Sequence, residues 1–125
     1  MMQTCHCGTS LSYPDCCGKI HENLALAGTA EELMRARYTA FSLQLIDFLY
    51  DSFHPSTRRF QQKKDIEQWA KSNKWMQLEI LNSTLSTVEF RAHYLDPQFQ
   101  VAVHHEKSNF RKLHGLWYYV DGSLC

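Results

Sequence analysis

Apolar residues recur along this chain at two different periods, and the change from one to the other divides it. Leu33, Ala36, Ala40 and Phe41, with Arg37 in the same stripe, are followed by Leu45, Phe48 and Leu49. That three-to-four spacing puts them on one face of an α-helix. Thr29 and, three residues on, Glu32 form a capping box at its start. The pattern allows one helix, or two broken near residues 42–45, and it closes before His54-Pro55 because the residue preceding proline disfavours helix. Residues 56–63 read as a polar, basic loop. Residues 64–72 read as a second, short helix with Ile66, Trp69 and Ala70 facing inward. From Lys74 the period drops to two. Met76, Leu78 and Ile80 alternate with polar residues, then Val88, Phe90, Ala92 and Tyr94. Phe99, Val101 and Val103 follow the Asp96-Pro97 turn, and Leu116, Tyr118 and Val120 follow the His114-Gly115 turn. Four strands joined by short turns predict an antiparallel sheet with one buried face. Helices first and a sheet afterwards give an α+β fold, the helices laid on one sheet face.

The stretch ahead of this body has neither period. Four of the five cysteines fall inside it as Cys5-His6-Cys7 and, eight residues later, Cys16-Cys17. Four thiolates drawn together make a closed tetrahedral zinc site, and a segment this short and polar needs such a staple to hold a shape. Gly8 and Gly18 follow the two cysteine clusters and let the backbone turn tightly there. Disulfides would require an oxidising compartment, whereas the opening Met-Met-Gln-Thr-Cys has neither a basic start nor an apolar run, so no secretory signal is expected. No Cys-x-x-Cys redox pair is present. Plain buried cysteines are not expected either, since the stretch offers little apolar surface to pack against. The expected ligands are Cys5, Cys7, Cys16 and Cys17, with His21 the natural substitute for one of the adjacent pair and His6 a weaker one. Cys125 reads as an exposed free thiol.

Cys-x-Cys-Gly-x-Ser-x-x-Tyr-x-x-Cys-Cys-Gly resembles the SEC-C zinc motif, known from the C-terminal tail of the SecA translocation ATPase, where the last ligand is usually His in place of Cys17. Three further blocks, Leu33-Met34-Arg35-Ala36-Arg37-Tyr38-Thr39-Ala40-Phe41, His54-Pro55-Ser56-Thr57 and Trp117-Tyr118-Tyr119-Val120-Asp121-Gly122, are similar to the largely uncharacterised bacterial YchJ family. The resemblance spans nearly the whole chain with its order preserved. It implies a SEC-C motif over residues 1–22 and, over residues 29–125, a cone-shaped domain of the nuclear transport factor 2-like, cystatin-like kind, with helices packed on a curved four-stranded antiparallel sheet. It also implies a protein partner for the zinc knuckle, by analogy a chaperone or secretion-related one. Many members carry a second SEC-C copy; with the chain ending at Cys125, functions that need two knuckles are not expected here.

Bulk composition narrows the classes. A length of 125 residues suits one domain with a small appendage, and 44% hydrophobic content with 13% aromatics excludes general disorder. Thirteen basic and thirteen acidic residues balance to zero, which argues against nucleic acid or an anionic membrane as partner. No apolar run approaches a membrane span, so a cytoplasmic protein is expected. The zinc knuckle is expected to act as a non-catalytic protein-interaction adaptor, the α+β body supplying a face for a homodimer. The alternative is a small-ligand binder or enzyme using the cone's cavity. Polar residues expected there are Arg35, Tyr38, His54, Glu106 and Tyr119; the plainer expectation is that Arg35 or Arg37 pairs with a carboxylate such as Glu106 and that Trp69, Trp117 and Tyr118 are core aromatics.

Overall fold

The computed structural model describes residues 4–125. Five helices precede four strands: α1 (Cys17–Glu22), α2 (Ala30–Leu43), α3 (Ile46–Asp51), α4 (Pro55–Arg58), α5 (Lys63–Ser72), β1 (Lys74–Ser83), β2 (Thr87–Leu95), β3 (Val101–Leu113) and β4 (Leu116–Leu124). The strands form one antiparallel meander in the order β1-β2-β3-β4. The helices lie on one face of that sheet, so the α+β reading holds. No described helix is long and apolar enough to cross a membrane.

Local chemistry accounts for the helix boundaries. Thr29 Oγ1 accepts from the Glu32 N–H at 3.1 Å while the Glu32 carboxylate accepts from the Gly28 N–H at 3.1 Å, so two otherwise unmatched donors at the start of α2 are satisfied reciprocally. Of the two alternatives the broken one is found: α2 ends at Leu43, where Gln44 takes the left-handed conformation (φ 60°) as C-cap, and α3 follows from Ile46. The basic loop expected over residues 56–63 is instead partly helical. His54 Nδ1 accepts from the Ser56 N–H at 3.1 Å and Pro55 stands in the first turn, which starts the one-turn α4.

Two-residue alternation in the strands misplaced some side chains by one position, because bulges change the parity. An irregularity between Trp75 and Gln77 turns Trp75 and Leu78 to the same side and pushes Met76 out, 54% exposed. The two-residue turn at His114 and Gly115, both at positive φ, pairs Leu113 with Leu116. That register sends Trp117 and Tyr119 inward, rather than Leu116, Tyr118 and Val120. The Trp117 indole donates to the Gly28 carbonyl at 3.3 Å, tying β4 to the start of α2. Val101 and Val103 lie on the outer face, and Phe99 stands 83% exposed in the loop before them. The inward set on β3 is His104, Glu106, Ser108 and Phe110, set opposite Ala92, Phe90 and Val88 of β2 across the first three of these positions.

One buried cluster runs through the molecule. Leu33 and Ala36 of α2, Val88 and Phe90 of β2, Phe110 of β3 and Trp117 of β4 are all 5% exposed or less, and Cys5, Cys7 and Cys17 belong to the same cluster. The cysteine stretch, expected as an appendage, is therefore packed into the body at its α2 side.

Candidate metal centre and cavity

The cysteine site is built from a loop and a helix start. Cys5 N–H donates to Leu11 O at 2.8 Å, and Thr4 bridges Ser12, closing a narrow hairpin that carries Cys5 and Cys7. A single 3-10 turn over Tyr13–Asp15 follows, and the chain then reverses at Cys16 itself (φ −123°, ψ −111°). This reversal, rather than Gly18, lets adjacent cysteines aim at one point. Gly18 serves a different need, since a β-carbon there would stand 2.7 Å from Tyr13 O and 3.0 Å from its ring. Gly18→Val is therefore expected to cost about 1–3 kcal/mol through overpacking, with weaker zinc retention. Urea denaturation checks this, and an unchanged midpoint would refute it.

The Sγ atoms of Cys5, Cys7, Cys16 and Cys17 all lie within 4.8 Å of one another, with Cys7 and Cys16 3.6 Å apart. Four sulfurs about 2.3 Å from one zinc ion stand about 3.8 Å apart in a tetrahedron, so the donor set is compatible with such an ion. All five cysteines are free thiols. Against expectation, Cys5, Cys7 and Cys17 are buried at 3% exposure or less, because α1 and α2 bring Ile20, Leu33 and Ala36 to them from outside the polar stretch. Hydroxyls surround the sulfurs. Thr39 Oγ1 lies 3.4 Å from Cys17 Sγ and 3.8 Å from Cys5 Sγ, and Thr9 Oγ1 lies 3.1 Å from Cys16 Sγ. The hydrogen bond from Cys17 holds the Cys7 thiol down to about 4, so the site carries a thiolate at neutral pH.

Both histidines considered as substitute ligands are engaged elsewhere. His21 Nε2 donates to the Ala36 carbonyl at 2.7 Å and its Nδ1 accepts from the Tyr13 hydroxyl at 2.7 Å. Burial lowers its pKa, consistent with a neutral ring whose two nitrogens are both used. His6 is exposed and meets Ser42 Oγ at 2.8 Å.

A cavity of about 280 Å³ opens between α2, α5 and the sheet. Of the five polar residues expected in it, the structure brings Tyr38, Glu106 and Tyr119 together there and leaves out Arg35 and His54. Arg35 turns to the metal site instead, its Nη1 donating to Cys7 O at 2.8 Å and its Nε paired with Glu31 at 3.0 Å. The two-residue step from Arg35 to Arg37, about half a helical turn, carries the two guanidiniums to different faces. His54 is used up as the cap of α4. Sequence reasoning gave Arg37 only a possible pairing with Glu106, yet it is the cation of this cavity, 5% exposed. The signal was present: it sits in the apolar stripe with Leu33 and Ala40.

Burial alone would push Glu106 up, but hydrogen bonds from His104 Nε2 (2.7 Å), Ser108 Oγ (2.6 Å) and Tyr119 OH (2.8 Å) outweigh it and hold the carboxyl below its ordinary range. The carboxylate rests against the α-carbon of Gly122, where a β-carbon would overlap it. The expected pairing of one arginine with a carboxylate is met by Arg35 and Glu31, whereas the described residues place neither Arg35 nor Arg37 within ion-pair distance of Glu106. Burial pushes Tyr38 up to about 12, so its hydroxyl stays protonated. Trp69, 38% exposed, stands at the cavity wall with Trp75 (ring centroids 5.6 Å apart) rather than in the core.

Residues 29–122 match the family described as YchJ, middle NTF2-like domain. A UPF0225 protein of Geobacter sulfurreducens is 40% identical over 129 residues, spanning 98% of this chain and 80% of that protein. A UPF0225 protein of Haemophilus influenzae is 38% identical over 128 residues, spanning 98% and 79%. A SEC-C motif containing protein from Rhodopseudomonas palustris, solved in solution, has a TM-score of 0.90 at 31% identity and covers 98% of this chain and 99% of that one. A crystal structure of a SEC-C motif containing protein from Psychrobacter arcticus gives 0.82 at 33% identity, covering 98% and 83%.

Proposed function

The chain belongs to the YchJ (UPF0225) family, and from that premise we propose that it is a zinc-binding, non-catalytic adaptor that recognises a protein partner through its cysteine knuckle. The convergence of four sulfurs within 4.8 Å carries this reading. Thiolates favour zinc over the hard cations. Cys5, Cys7, Cys16 and Cys17 would fill its four positions, so the ion supplies shape, and no place is left for a reacting water. Beside the knuckle, a groove of about 250 Å³ runs to the first turn of α2. It is lined by Leu11, 51% exposed, together with Lys19, Glu31 and Arg35. An apolar contact ringed by charges of both signs suits a protein surface better than a phosphate backbone.

The test is capture of partners by the zinc-loaded protein, with mass spectrometry of what is retained. Leu11→Asp is expected to lose the partner while still holding one zinc per chain, and Cys16→Ser is expected to lose both. If Cys5→Ser, Cys16→Ser and Leu11→Asp all retain every wild-type partner, the adaptor reading fails. One zinc per chain with four thiols protected until chelation is the expected metal result. Five reactive thiols in freshly purified protein would remove the zinc premise.

A further inference from the structure

We propose that the cavity between α2, α5 and the sheet binds a small organic carboxylate with a flat apolar body, gripped by one edge of the Arg37 guanidinium. This stands apart from the knuckle reading and rests on different residues.

The guanidinium is held by two rings and by hydrogen bonds along one edge. Its central carbon lies 4.6 Å from the Phe53 centroid and 4.4 Å from that of Tyr119, two rings that stand together on one side of it with their centroids 5.2 Å apart. On one edge, Nη1 donates to Leu49 O at 2.9 Å and to Ser52 Oγ. The remaining edge, Nε and Nη2, has no acceptor among the described residues. Those two nitrogens are not sealed in protein, since the single fully buried side-chain nitrogen or oxygen without a partner is Trp75 Nε1. They therefore open onto the cavity that Arg37 lines.

That edge is the one whose two parallel N–H groups match both oxygens of a carboxylate. A buried cation with no carboxylate in ion-pair reach is costly, and the charge of Glu106 offsets it only from beyond that reach. Glu106 and Asp65 are the acids lining the cavity; the oxygens of Glu106 are already taken by His104, Ser108 and Tyr119, and neither acid bonds the guanidinium, whose hydrogen bonds go to Leu49 and Ser52. The mismatch is thus specific, a paired donor edge with no acceptor. A cationic ligand would meet the guanidinium's own charge. A phosphate has no apolar body to set against the rings of Trp69, Phe90 and Trp75 that line the cavity. Those rings suit a flat apolar body, and about 280 Å³ is just below the usual range for ligand pockets of about 300–1,000 Å³, so the body is about one ring in size.

Titration of the zinc-loaded full chain tests this, followed by tryptophan fluorescence and by NMR of the Arg37 Nε–H. The probes are benzoate, benzamide, benzylamine and inorganic phosphate. Benzoate is expected to saturate, to shift the Arg37 Nε–H, and to bind about tenfold or more tightly than benzamide, the size of one charge-assisted hydrogen bond. Arg37→Gln is expected to erase that difference. Trp69→Ala, at the exposed wall, is expected to weaken benzoate severalfold while leaving the Arg37 signal in place, and it keeps the test open if Arg37→Gln does not fold. Equal binding of benzoate and benzamide overturns the proposal, as does tighter binding of benzylamine or phosphate. So does the absence of any saturable response in the wild type, which would leave the edge to water.

Discussion

Serine in place of Cys7 or Cys17 is expected to abolish stoichiometric zinc and to unfold much of the chain, the largest effect of any single substitution here. Each sulfur has two jobs. It is one of four donors in the set within 4.8 Å, and it fills volume in the buried cluster with Leu33 and Phe90. Structural zinc contributes about 10–16 kcal/mol of apparent binding energy in small zinc-folded peptides, which is comparable to the about 5–15 kcal/mol of net stability that a whole domain has. Losing one donor removes a large share of the first, so the apoprotein sits near or below its folding threshold. Chelation should reproduce the substitution in the unaltered protein. Cys125→Ser, at an exposed thiol, is expected to change neither zinc content nor melting. Metal analysis with thermal unfolding decides it; a Cys17→Ser protein that melts like wild type and keeps its metal would sink the idea.

The second largest effect is expected at Glu106. Leucine there would strand the Ser108 hydroxyl, at 0% exposure, and that of Tyr119, and would take from Arg37 the negative charge that offsets its burial. Together these are expected to cost about 3–5 kcal/mol. The pH dependence has a defined sign. The folded carboxyl is held below its ordinary range, so on acidification the unfolded chain takes up this proton first. The stabilisation is complete above the ordinary glutamate value of about 4.3 and is lost as pH falls through the lower folded value. Glu106→Gln should therefore be less stable than wild type at neutral pH, with the gap narrowing in acid. Urea unfolding at pH 7 and again below pH 4 measures both limbs, and a gap that stays constant would show that Glu106 does not titrate as argued.

What the sequence disclosed follows from which physics is local. Capping at Thr29 and Glu32 and the break after Leu43 depend on neighbours within four residues, and both were legible. So were the cysteine spacing and the count and order of strands. Strand parity was less legible, because the bulge at Met76 turns that residue out of an otherwise correct alternation and the turn at His114-Gly115 shifts the alternation of β4 by one residue. The cavity was the least legible. The apolar stripe of α2 marks Arg37 as inward, but nothing local says that Arg35 reaches the hairpin of Cys5 and Cys7, since that depends on where a segment distant in sequence comes to rest. The burial of the cysteines was unreadable for the same reason: their apolar neighbours come from α1, α2 and β2.

The packing of Cys5, Cys7 and Cys17 against Leu33 and Phe90 also bears on how such a chain can be inherited. A metal knuckle that folds by itself is a cassette, free to be moved, duplicated or dropped. Here the hairpin and α2 complete each other, with Arg35 reaching across to Cys7 O and Thr39 to Cys17 Sγ. A chain starting at Thr29 would carry α2 with one flank bare, and the knuckle grafted onto a foreign helix would lack the wall that it leans on. Recombination at the boundary between them is expected to leave two incomplete halves, each missing the wall that the other supplies.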